Sequence, residues 1–188
     1  GEYEAMEKAI QDLLKEAGFV FTVVPPDVDE SAIQESSPYR LVEELVLAKA
    51  RAVAIGVTEP AIVIAGDVVG RIAGKIVGKA KDEEEARWML TRLSKEGVEF
   101  IAGYAVIDTA TSCEWHGYDV AWVHFKKISE EDIRECIAKG IPFRSAAGFA
   151  MREEPCRNWV ARVEGDESVV IGLPMRRVKA ILGELLQK

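Results

Sequence analysis

The sequence predicts an α/β domain in which a mixed β-sheet is flanked by helices. Apolar residues recur at helical spacing over 4–17, 38–55, 82–93 and 174–185, while 61–67, 99–108 and 114–126 are rich in β-branched and aromatic residues. Gly and Pro stand at most of the joins, as turns require. At 188 residues, 48% hydrophobic and 30% charged, the chain is long enough for a sizeable core. It contains no repeat, low-complexity tract or linker, so residues 1–188 are expected to form a single domain.

Taken in order, Glu4 to Ala17 sets Met6, Ile10, Leu13, Leu14 and Ala17 on one helical face, and Gly18 suits the position that ends a helix. Phe19 to Val24 predicts a short strand, stopped by Pro25 and Pro26 and followed by the acidic run Asp27, Val28, Asp29, Glu30. That run is either a solvated loop or a set of oxygen ligands for a hard divalent cation. Pro38 to Ile55, with Leu41, Leu45, Ala48 and Ala52 on one face and Gly56 behind it, predicts a long helix. Lys49 in its second half either snorkels to solvent or reaches a phosphate.

The stretch from Ala61 to Lys79 organises the rest. It reads as a strand that ends at Asp67, where Gly66, Gly70 and Gly74 let the backbone turn and Lys75 and Lys79 return positive charge to the same region. An acid and lysines at a loop-rich strand end suit a metal-bound phosphate. The alternative role for Asp67 is a turn residue bonding its own backbone.

Asp82, with Glu85 three residues on, predicts a capped helix to about Leu93. Glu99 to Asp108 and Glu114 to Lys126 read as an antiparallel hairpin turning at Ala110 to Ser112. His116 and His124 fall on that second strand at a separation of roughly 26 Å, too far apart to share one metal. Ser129 opens a short helix ending at Gly140, and Arg144 to Gly148 is a small-residue loop that backbone or ligand can approach closely. Trp159 to Glu164 and Val169 to Ile171 read as short strands around the turn Gly165-Asp166, and Pro174 starts a last helix carrying Val178, Ile181, Leu182 and Leu185.

The balance of 24 Lys+Arg against 32 Asp+Glu gives a net charge of -8, which repels nucleic acid and anionic membrane at long range. A nucleotide is therefore a better partner than a nucleic acid. Cys113, Cys136 and Cys156 are widely spaced and contain no CxxC pair, which points to free thiols rather than a disulfide framework or a zinc knuckle. No leader-like segment opens the chain and no apolar run approaches the roughly 20 residues that span a bilayer, so a cytoplasmic protein with no membrane partner is expected. Gly1 in place of Met suggests a processed or trimmed start.

Read together, these pieces resemble the Maf family of nucleoside triphosphate pyrophosphatases, the septum formation inhibitor proteins, over about residues 10 to 186. The resemblance is carried by Asp27-Val28-Asp29-Glu30, Leu45 with Lys49-Ala50, Ala65-Gly66-Asp67-Val68-Val69, Val77-Gly78-Lys79, Leu93-Ser94, Ala147-Gly148-Phe149-Ala150 and Gly172-Leu173-Pro174. It implies a strongly twisted sheet in a two-lobed fold with a central cleft, and a homodimeric assembly. It also implies divalent-metal hydrolysis of nucleoside triphosphates, including surplus or non-standard ones, to monophosphate and pyrophosphate. By motif, Glu30 and Asp67 would hold Mg²⁺ or Mn²⁺ with Asp67 as the base, while Lys49 and Lys79 would offset phosphate charge.

The departures lie mainly at the phosphate end. The family opens with a strand and a Ser-x-Ser-Pro-Arg-Arg loop, but the aligned Ala5-Met6-Glu7-Lys8-Ala9-Ile10 has no serine and no arginine. Val68 replaces a Thr, Val98 to Ala102 replaces a His-x-Val-x-Thr pattern, and Arg152-Glu153 stands where Gln-Gly is expected. One reading is an active enzyme in which Arg144, Arg152 or Arg157 supplies the missing charge, with Arg152 as the substrate-binding candidate. The alternative is a catalytically degenerate relative that binds nucleotide without turnover. A protein-interaction scaffold using Trp88, Trp115, Trp122 and Trp159 ranks last, because Trp is more often part of a core.

Overall fold

The computed structural model describes the backbone of residues 2–186 and the side chains of residues 8–186. Met6 and the stretch Ala5 to Glu7, which the sequence assigns to the first helix and to the replaced phosphate loop, have side chains outside that range. Helix α1 (Glu2–Glu16) gives way to Gly18, which turns the chain at φ +83°. Ser37 caps α2 (Pro38–Ile55), and Pro38 occupies a first-turn position where no amide is needed. Strands β1 (Ile62–Ile72) and β2 (Lys75–Val77) form a hairpin. The Asp82 carboxylate accepts the Glu85 amide at 2.8 Å to open α3 (Glu83–Glu96).

Strands β3 (Val98–Asp108) and β4 (Cys113–Phe125) make the expected long hairpin. A reciprocal Ser129–Asp132 capping box starts α4 (Glu130–Ala138). One-turn α5 (Cys156–Trp159) runs into β5 (Val160–Glu164), and α6 (Glu167–Ile171) and α7 (Met175–Leu185) complete the described chain.

The five strands pair in the order β2-β1-β3-β4-β5. Alternation divides β1 cleanly. Val63, Ala65 and Val69 pack beneath α2 with Ala105, Ile107 and Ile101, whereas Ile62 and Ile64 pack against α1 and α7, and Val68 and Ile72 against α3. Two cores thus sit side by side on one face of the sheet, and α2 covers the other.

Four expectations change. The sheet, expected to be mixed, is antiparallel at every described pairing, because no connection carries the chain back to the end from which the neighbouring strand began. β1 does not end at Asp67 but continues to Ile72, since Asp67 to Arg71 pair with Gly103 to Glu99 and the residues from Asp67 to Gly70 are buried on both faces. Gly66 and Gly70 accordingly serve close packing rather than turning. A Cβ at Gly66 would stand 2.6 Å from the Gly172 carbonyl, and one at Gly70 2.6 Å from the Ala147 Cβ.

Phe19 to Val24 joins no ladder. Phe19 and Phe21 turn into the core beside α1, and Val20 and Val24 are 102% and 51% exposed. A cavity of about 590 Å³ separates Val20 to Val24 from Ala61 to Gly66, so strand-forming residues here have no edge within reach. Val169 to Ile171 is helical rather than extended: the Asp166 carboxylate accepts the Ser168 amide at 2.9 Å, and Gly172 at φ +123° ends the single turn.

Candidate active site

Three of the acidic and basic residues singled out in the sequence meet between α2 and the sheet. The helical spacing that buries Val42, Leu45, Val46 and Ala50 also turns Lys49 inward, to 7% exposure. Asp67, also 7% exposed, projects from β1 towards the same helix, opposite Gly103 of β3. A Cβ on Gly103 would stand 2.5 Å from the Val42 carbonyl, so this glycine is what allows α2 to lie so close over Asp67. Glu30 enters from a single 3-10 turn, Glu30–Ala32.

Lys49 Nζ donates to Asp67 Oδ2 at 2.6 Å and lies 2.9 Å from Glu30 Oε1. The other Asp67 oxygen, Oδ1, accepts the Val68 amide at 2.8 Å. One oxygen of Asp67 thus bonds its own backbone, within a strand rather than at a turn, and the other holds Lys49. Burial pushes the Lys49 ammonium down, but the charges and hydrogen bonds of Asp67 and Glu30 outweigh it and leave its pKa above the usual lysine value. Lys49 therefore stays charged at neutral pH. The neighbouring Asp29 is committed to its own turn, where it accepts from the Ser31 hydroxyl at 2.6 Å and the Ser31 amide at 3.1 Å, so Glu30 is the acid of this run that reaches Lys49.

Among the described residues no group of three or more His, Cys, Asp or Glu side chains converges. Among the described residues the carboxylates at this site are Glu30 and Asp67, both holding Lys49, and such a pair would suit a hard divalent cation with substrate phosphate and water completing the shell. Lys49 and Gly66 stand in the wall of the 590 Å³ cavity. The rest of that wall is mostly apolar, including Ile10, Leu14, Phe21 and Val53, so it supplies no phosphate cradle by itself.

Lys79 and Arg152 do not join this cluster through any contact among the described residues. Lys79 is exposed beyond β2. Arg152 forms a two-pronged pair with Glu16 at 2.8 and 3.0 Å and borders a separate cavity of about 70 Å³ beside Val68, whose side chain faces away from that of Asp67. Arg144 pairs with Glu153, and Arg157 with Glu154 at 2.7 Å. Each arginine considered as a replacement for the missing loop is thus already held by a carboxylate. His116 and His124 lie beside Glu43 and Glu164 respectively and take no part in the cluster.

Sequence reasoning missed a charged pair on this face of the sheet. Arg71 and buried Glu99 are cross-strand neighbours joined at 2.5 Å on the face that carries Asp67. The signal was present, because Arg71 follows Asp67 by an even number of residues. It is legible only once the strand is known to run through Asp67 instead of turning there.

The chain is similar to known proteins over most of its length. The family model described as Maf-like protein matches residues 10–185. The chain is 38% identical over 177 residues to a nucleoside triphosphate pyrophosphatase of Synechococcus sp. strain JA-2-3B'a(2-13), covering 94% of this chain and 89% of that protein. It is 35% identical over 172 residues to a dTTP/UTP pyrophosphatase of Symbiobacterium thermophilum, covering 92% and 87% of the two chains. A dTTP/UTP pyrophosphatase of Alkaliphilus metalliredigens is 32% identical over 178 residues, covering 95% and 90%.

Proposed function

The chain belongs to the Maf-like protein family, and on that membership together with the Glu30–Lys49–Asp67 cluster we propose that it hydrolyses nucleoside triphosphates to a nucleoside monophosphate and pyrophosphate. The observation that carries the reading is the ammonium of Lys49 held between two carboxylates at the wall of a cavity. Attack of water on the α-phosphorus needs a carboxylate to orient the water and take its proton, and positive charge to balance the phosphoryl oxygens. Asp67 is the base, with Glu30 beside it, and Lys49 is the buried cation that turns to the phosphate. Lys79 contributes a second cation from its exposed loop, and Arg152 a third once it is released from Glu16.

Glu30 and Asp67 would hold Mg²⁺ or Mn²⁺, which supplies charge neutralisation at phosphate and a more acidic bound water. Cytoplasmic action rests on the three free cysteines, and a homodimer on the family resemblance. The second reading, nucleotide binding without turnover, is favoured by one observation: Arg144, Arg152 and Arg157 are all engaged by carboxylates.

Pyrophosphate release from a panel of nucleoside triphosphates that includes dTTP and UTP, with Mg²⁺ and with Mn²⁺, separates the two readings. The enzyme reading expects release that falls at least about a hundredfold in Asp67→Asn. A folded wild-type protein that releases nothing from any member of the panel, yet binds one of them, establishes the second reading.

A further inference from the structure

Cys136 on α4 and Cys156 at the start of α5 are both buried, and their sulfurs lie 3.6 Å apart. They are distant in sequence from the proposed active-site cluster and play no part in it. Contact between two thiols is more than buried cysteine requires, and the surroundings of this pair are asymmetric. Either thiol can donate to the other, the Cys136 sulfur also stands 4.0 Å from the Gly148 carbonyl, and backbone hydrogen bonds from Ala150 and Cys156 favour the Cys156 anion. These hydrogen bonds outweigh burial and hold the Cys156 thiol below its usual range. Cys136 is pushed up, because Cys156 shares its proton and burial disfavours its anion.

A small cavity lies close by in the chain, lined by neither cysteine itself. The cavity of about 70 Å³ is lined by Phe149, Ala150, Met151 and Glu153, the segment that leads into Cys156. A water molecule's share of liquid volume is about 30 Å³, so this space admits a molecule of the size of hydrogen peroxide.

We propose that Cys136 and Cys156 are a modification site, a reversible disulfide formed by reaction with a small hydroperoxide. The Cys156 thiolate attacks one peroxide oxygen, the O–O bond breaks, and water or an alcohol leaves with a proton from solvent, so that Cys156 becomes a sulfenic acid. Cys136 then attacks that sulfur. The S–S bond forms, the S–O bond breaks, and the departing hydroxide takes the Cys136 proton to leave as water. The two thiols lose two electrons in all, the peroxide gains them, and a dithiol reductant reverses the change. The sulfurs need to approach by about 1.6 Å to reach bonding distance. The product ties α4 to the segment that carries Arg144 and Arg152.

The test treats the full-length protein with stoichiometric hydrogen peroxide, then denatures it and counts alkylatable thiols. The expected count falls from three per chain to one, Cys113, and returns to three with dithiothreitol. Mass spectrometry then finds the Cys136 and Cys156 peptides cross-linked, and Tm rises on the order of 5–10 °C. In Cys113→Ser the cross-link still forms. Retention of three thiols, loss confined to Cys113, or sulfinic acid at Cys136 or Cys156 without a cross-link each overturns the proposal. The wild-type count decides the matter even if Cys136→Ser or Cys156→Ser does not fold.

Discussion

Lys49 shows how one residue joins stability to chemistry. Its ammonium neutralises two carboxylates, one of them buried, so replacing it leaves Asp67 as an uncompensated charge beneath α2. Lys49→Met is expected to lose about 3–5 kcal/mol of unfolding free energy, read from urea midpoints. Asp67→Asn should lose less, about 1–3 kcal/mol, because Glu30 still pairs with Lys49. The pH dependence has a definite sign. The folded pKa of Lys49 lies above its ordinary value of 10.5, so its contribution is fully present below that value and is lost as pH rises through the folded pKa. The stability gap between wild type and Lys49→Met should stay constant from neutral pH to about 10 and close above it. A gap that closed below pH 9 would assign the stabilisation to some other group.

At the scale of elements, the helices were the most legible because their signals are local. Pro38 to Ile55 has the predicted bounds, and the Asp82 cap stands three residues before Glu85 as the sequence indicates. The cap also sets a prediction: Asp82→Ala removes the acceptor for the Glu85 amide and should lower Tm by roughly 2–4 °C, for a loss of about 1 kcal/mol. Strands were less legible. Phe19 to Val24 has strand composition but no neighbouring edge, and Val169 to Ile171 has strand composition but a cap on one side and a helix-ending glycine on the other. Gly103 tests how tightly the elements are set. Gly103→Ala puts a methyl group 2.5 Å from the Val42 carbonyl, so α2 must shift and carry Lys49 with it. A cost of about 1–3 kcal/mol together with a lower kcat is expected, while a stable variant with unchanged kcat would show that α2 accommodates the change without disturbing Lys49.

Across the whole molecule, the site is assembled from segments far apart in sequence: a 3-10 turn at Glu30, the middle of a helix at Lys49 and the middle of a strand at Asp67. A ligand that bridges them should stabilise the entire fold. A non-hydrolysable UTP analogue with Mg²⁺, at about a hundredfold its Kd, is expected to raise Tm by roughly 5–11 °C in wild type and by much less in Glu30→Gln. Equal shifts in both proteins would place the nucleotide away from Glu30. The sequence by itself determined the longer helices α1 to α4 and α7, the β3–β4 hairpin, the family and the identity of the three residues that meet, because periodicity, caps and ordered motifs are written in neighbouring positions. Only the tertiary structure decided that the sheet is antiparallel throughout, that Asp67 lies within its strand rather than at the end, that Arg152 is held by Glu16, and that Cys136 touches Cys156. Each of those depends on which distant backbone or side chain comes to lie alongside, a consequence of packing that no local pattern encodes.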